Sequence, residues 1–80
     1  MKVQVLIRLK AGVLDVQGKA VERSLTGLGF DDVNAVRIGR LIEMEVGASN
    51  LDKAKQEVTK MCQELLVNPI IESYEIREAK

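Results

Sequence analysis

The stretch Val33–Val46, VNAVRIGRLIEMEV, decides how the chain is read, because two β-rich runs stand on either side of a single glycine with an arginine close on each side. Val36 and Ile38 alternate with Arg37 before the break, and Ile42, Met44 and Val46 alternate with Glu43 and Glu45 after it. That is the period of strands wet on one face, so the stretch reads as a hairpin. Gly39 would supply the positive φ of a tight turn, with Arg37 and Arg40 projecting beside it. Charges at such a turn usually keep an edge soluble; the sharper reading makes them a contact surface.

Upstream, Val3, Val5, Ile7 and Leu9 alternate with Lys2, Gln4, Arg8 and Lys10, which predicts a first strand with one apolar face. Leu6 is the exception on its polar side. Asp15 is placed to cap a helix running to about Leu28, with Ala20, Val21, Leu25 and Leu28 as its inner stripe and Gly29 as a left-handed C-terminal cap. Gly18 is out of place in that first turn, since glycine costs up to about 1 kcal/mol relative to alanine in a helix; it is kept where something comes close, or it is simply tolerated.

Downstream, Ser49 and Asp52 have the spacing of a capping box, and Leu51, Val58, Met61, Leu65 and Leu66 then recur at helical spacing to about Val67. Asn68 and Pro69 stop that helix, and Ile70–Arg77 reads as a last strand. The order is strand, helix, strand, strand, helix, strand. It predicts an α+β, ferredoxin-like split βαβ fold, an antiparallel sheet with both helices on one face. The open face would carry Lys2, Gln4, Leu6, Arg8, Glu43, Glu45, Glu75 and Arg77, able to pair charges across strands or to meet another copy.

Residues 1–80 are expected to form one domain. A chain of this length hides only about 60 to 65% of its unfolded surface, for which oligomerisation is a natural remedy. The composition is 46% hydrophobic, but Phe30 and Tyr74 are the only aromatics, so the core falls to aliphatic side chains. Twelve Lys and Arg balance twelve Asp and Glu, and the pI is about 6.2, which leaves no field to hold phosphate backbones or anionic lipid. Nucleic acid and membrane are therefore not expected partners. A lone Cys62, an N-terminal MKVQVLIRLK without a leader pattern, and no run near ~18 apolar residues point to the cytoplasm.

Catalytic chemistry finds little footing. Without histidine there is no Ser-His-Asp or Cys-His arrangement and no histidine metal site, and without a CxxC there is no soft-metal site. Cys62 falls among Met61 and Leu65 in a helix, the setting of a buried, inert thiol. Glu43 and Glu45 share a strand face about 7 Å apart, the ordinary outcome for the wet side of a strand. GLG at Gly27–Gly29 ends a helix instead of following a strand, so it is no phosphate loop. No catalytic, cofactor or metal residues are expected, and the chain reads as a subunit that works through its surfaces.

Three blocks, VLDVQGKAV at Val13–Val21, VRIGRLIEMEV at Val36–Val46 and CQELLVNPIIESYEI at Cys62–Ile76, resemble the PurS family, the small subunit of phosphoribosylformylglycinamidine (FGAM) synthase. The resemblance covers nearly the whole chain. Val16 departs from a usual proline, Arg40 from a common lysine, Val67 from alanine and Ser73 from an acidic residue. It implies a homo-dimer or tetramer that bridges a PurQ-type glutaminase subunit, which releases ammonia, and a PurL-type synthetase subunit, which uses ATP and magnesium to convert formylglycinamide ribonucleotide to formylglycinamidine ribonucleotide. No cofactor would be bound by this chain. The candidate partner or oligomer contacts are Asp15, Gln17, Gly18, Arg37, Gly39, Arg40, Asn68 and Tyr74. The second reading is a ferredoxin-like small-molecule-sensing domain, and a third is a structural oligomer with no pathway role.

Overall fold

A computed structural model describes residues 1–79. Its centre is the first strand, β1 (Lys2–Leu9), paired antiparallel with β2 (Arg40–Glu45) on one side and β3 (Glu72–Glu78) on the other. Helix α1 (Val16–Gly27) lies between β1 and β2 in sequence, and α2 (Leu51–Met61) between β2 and β3. The chain is therefore a three-stranded antiparallel sheet with two helices in the order βαβαβ.

Alternation in β1 produces the core directly. Val3, Val5 and Ile7 are fully buried on one sheet face, where they meet Ala54 and Val58 of α2, Cys62 and Val67. The register sets Val5 between Ile42 and Ile76, and Ile7 between Arg40 and Tyr74. On the open face Gln4 links the three strands: its amide donates to Glu43, and Arg77 donates to its carbonyl oxygen. The charge-to-charge pairing expected across that face is not what forms: Glu43 and Arg77 each bond the uncharged Gln4 between them.

The hairpin does not form. Val33–Gly39 is not a strand, and β2 begins only at Arg40. Three local facts account for this. Ala35 has φ of 55°, in the left-handed region, which breaks an extended run. The N–H groups of Val36 and Ile38, which a ladder would need, are taken by the carboxylates of Glu22 and Asp15. Gly39 is not among the residues with positive φ; glycine is required because a Cβ there would press on the carbonyl oxygen of Ile7. Val36 and Ile38 are both half-buried, but their segment is tied by its backbone to Glu22, Asp15 and Gly18 at α1 and has no partner strand.

The first helix has the caps expected of it. Asp15 accepts from the Gly18 N–H at 2.7 Å, and the chain leaves the helix in a Schellman turn, Phe30 N–H to the Leu25 carbonyl and Gly29 N–H to the Thr26 carbonyl, with Gly29 at φ of 100°. The expected inner stripe is not inner. Ala20 is exposed, Val21 is 39% and Leu28 75% exposed, and α1 supplies no residue to the core. Only α2 covers the sheet, so the two helices do not share its face.

Two corrections concern α2. Its N-cap is Asn50, accepting from Lys53 N–H at 2.9 Å, one residue past Ser49. Its last turn, Cys62–Leu66, widens into a π-helix closed by the Val67 N–H on the Cys62 carbonyl. Widening the turn shifts the helical phase. Cys62 and Val67 are thereby kept inside, while Leu65, predicted on the inner stripe, is 84% exposed.

Candidate functional site

Between Lys10 and Gly39 the chain leaves the sheet, runs through α1 and returns, forming an arm. Overall the molecule measures 48 × 28 × 14 Å with a radius of gyration of 15.8 Å, where a compact domain of 80 residues has roughly 12 Å. The arm leaves apolar side chains without cover: Leu14 and Val16 are each 70% exposed, and Phe30 is 54% exposed. Val21, Leu25 and Leu28 fall on one side of α1 at helical spacing and continue to Phe30. A surface of this kind is what interaction sites present.

The neck of the arm gathers most of the residues singled out in the sequence. Asp15, only 4% exposed, divides its carboxylate between two backbone donors, Gly18 and Ile38, both at 2.7 Å. These bonds, to Gly18 first and Ile38 second, hold its pKa below the ordinary carboxylate value against the opposing effect of burial, and the Arg37 charge adds to them. Arg37 turns back on its own chain and donates to the carbonyls of Val13 and Lys10 at 3.0 and 3.2 Å. Gly18 is buried where the helix passes the returning segment, and a Cβ there would strike the Val36 carbonyl oxygen. Gln17, exposed, lines a cleft of about 150 Å³ with Asp15, Gly39 and Arg40.

Arg40 points the other way along the sheet end. It donates to the Leu66 carbonyl at 3.0 Å and to both carboxylate oxygens of Glu72 at 2.9 and 3.0 Å. Glu72 also accepts the Asn68 N–H at 2.8 Å, and chiefly through that bond its pKa lies below the usual value. Glu72 is the residue that sequence reasoning missed. It stands inside the quoted IIESYEI block, but nothing in its spacing showed that it ties Arg40 to the turn at Asn68. The Asn68 side chain accepts from Ile70 N–H and shapes that turn, and Lys10 caps it by donating to the Pro69 carbonyl at 2.7 Å. Tyr74, opposite Ile7 on β3, is 38% exposed and stands apart from the neck cluster.

Cys62 is fully buried, and burial raises its pKa. Among the described residues no three His, Cys, Asp or Glu side chains gather into a group that could hold a metal. No helix of the described residues is long and apolar enough to cross a membrane.

Against known proteins, the family model PurS, described as phosphoribosylformylglycinamidine (FGAM) synthase, matches residues 2–80. The chain belongs to the PurS family. It is 42% identical to the PurS subunit of FGAM synthase from Methanocaldococcus jannaschii over 79 residues, which is 99% of this chain and 95% of that protein. With the PurS subunit from Bacillus subtilis it shares 41% over 73 residues, 91% of this chain and 86% of the other. Among solved structures, the M. jannaschii PurS superposes with a TM-score of 0.88 at 40% identity, covering 99% of this chain and 98% of that one. A chain of the Thermotoga maritima PurLQS structure gives the same TM-score and identity, covering 98% and 95%. These PurS proteins are of nearly this chain's length, so the likeness includes the arm as well as the sheet.

Proposed function

We propose that this PurS-family chain is the small, non-catalytic subunit of an FGAM synthase of purine biosynthesis, and that it joins a glutaminase subunit to an ATP- and magnesium-using synthetase subunit in the assembly through which ammonia passes. The observation that carries this reading is the arm: a family member whose apolar helix face is left uncovered by its own fold, as in an assembled subunit. The T. maritima structure named PurLQS supports a place for the chain beside PurL- and PurQ-type partners. On this reading the chain works in the cytoplasm and binds no cofactor of its own.

Self-association as a dimer or tetramer belongs to the same reading. The edges of the three-stranded sheet, β2 and β3, are each open to a further strand from a second copy, and a fourth strand added there would complete the ferredoxin-like sheet of this reading. Within the proposed contact set, Gln17 and Tyr74 offer exposed side chains to a partner, whereas Asp15, Gly18, Arg37, Gly39, Arg40 and Asn68 act by holding the arm and the Asn68 turn in place. Co-purification with a glutaminase and an ATP-dependent synthetase, followed by glutamine-dependent FGAM synthesis in the mixture, tests the reading. Failure of the chain to associate with either would overturn it.

A further inference from the structure

The neck that joins arm to sheet is made of polar ties. Arg37 reaches the Lys10 and Val13 carbonyls, Asp15 holds Gly18 and Ile38, and farther out Glu22 accepts from Val36 N–H at 3.2 Å. Apart from the Arg37 contact with Lys10, these bonds run between the outgoing and returning limbs of the arm or within its helix. Glycine stands at both close crossings of backbone, Gly18 under the Val36 carbonyl and Gly39 under that of Ile7. The arm thus has its own closure and shares no apolar core with the sheet.

Segments with few apolar contacts open at lower free energy than the strands they spring from. We propose that Asp15 and Arg37 form a clasp that closes Ala11–Ile38 into a separate cooperative unit, which opens and recloses while the sheet and α2 stay folded. The clasp needs both oxygens of Asp15. An asparagine presents one acceptor oxygen and one N–H₂ donor, so it keeps either the Gly18 bond or the Ile38 bond and turns a donor toward the other N–H. Asparagine caps a helix as well as aspartate does, so an Asp15→Asn chain that keeps the Gly18 bond retains the cap and loses the tie to Ile38.

Hydrogen exchange followed by mass spectrometry, at one fixed protein concentration, tests this on the whole chain. In Asp15→Asn, amides of residues 19–35 should exchange roughly tenfold faster or more, as expected for losing a hydrogen bond to a charged group, while those of β1 and α2 keep their rates. Arg37→Lys, whose single ammonium does not span the two carbonyls as a fork, should act in the same direction. Asp32→Asn, an exposed acid of the same arm outside the clasp, should change nothing. The wild-type chain supplies an independent reading should a variant fail to fold: across sub-denaturing urea its arm amides should exchange through an opening with weaker denaturant dependence than that of the β1 amides. Unchanged arm rates in Asp15→Asn, equal acceleration of arm and sheet, or a single denaturant dependence for both in the wild type would overturn the clasp.

Discussion

The two halves of this chain use different means to hold their shape. In the sheet and α2, Val3, Val5, Ile7, Val58 and Cys62 are sealed from solvent and the strands are paired along β1. In the arm, shape is set by carboxylates and a guanidinium bonded to backbone and by glycines where backbones cross, while Leu14, Val16, Leu28 and Phe30 are left exposed. The first half is stable because β1, α2, Cys62 and Val67 seal a common apolar core, even though Leu41, Leu65 and Ile70 remain exposed; the arm is ordered without such a core. An element that keeps helix caps, a fixed neck and an uncovered apolar face is the part of the molecule we propose meets another chain.

The largest effect on folding should come from the core half. Ile7→Ala removes a side chain 1% exposed at the middle of the sheet and should lower unfolding stability by about 2 to 5 kcal/mol, read by urea denaturation. A loss under about 1 kcal/mol would mean that the sheet is not the stabilising half. Next come the close crossings. A glycine-to-alanine change inside a helix ordinarily stabilises, but Gly18→Ala should destabilise by about 1 to 3 kcal/mol because Val36 backbone occupies the space, and Gly39→Ala should do the same against Ile7. Stabilisation by Gly18→Ala would show that arm and helix do not pass as closely as described.

Smaller again is a dependence on pH. The folded pKa values of Asp15 and Glu72 both lie below their ordinary values, so each contributes stability that is fully present above the unfolded pKa near 4 and is lost as pH falls through the lower folded value. Stability should therefore be level from neutral pH to about pH 5 and decline below it. Asp15→Asn should flatten the part of that decline seen in α1 exchange and leave the part belonging to Glu72. An unchanged acid profile in that variant would remove Asp15 from the account.

How far the sequence carried differs between the halves for a physical reason. Strand β1, the caps at Asp15 and Gly29, the alternation of β2 and the stop at Asn68–Pro69 are local signals, and all of them appear in the fold. What failed needed knowledge of a distant partner. Val36 and Ile38 carried the alternation of a strand, yet the groups bonded to their N–H are Glu22 and Asp15, far off in sequence. The stripe Val21, Leu25, Leu28 was legible as apolar, but periodicity reports that a face is to be buried and not against what. Leu65 was lost to the widened turn at Cys62, which no residue spacing announces. At the candidate site, Gly18 was recognisable as a misfit whose cause, the Val36 carbonyl, only the fold supplied.

The smallest expected effect on folding carries the most weight for function. Leu28, 75% exposed at the end of α1, can take a charge with a stability change within about 0.5 kcal/mol, since it touches no core. Leu28→Asp should therefore unfold with the wild-type midpoint while losing assembly with the glutaminase and synthetase subunits in size-exclusion chromatography, and with it glutamine-dependent FGAM synthesis. Full assembly and synthesis by Leu28→Asp at wild-type concentrations, or a stability loss as large as that of Ile7→Ala, would contradict the claim that the face of α1 is built for another chain.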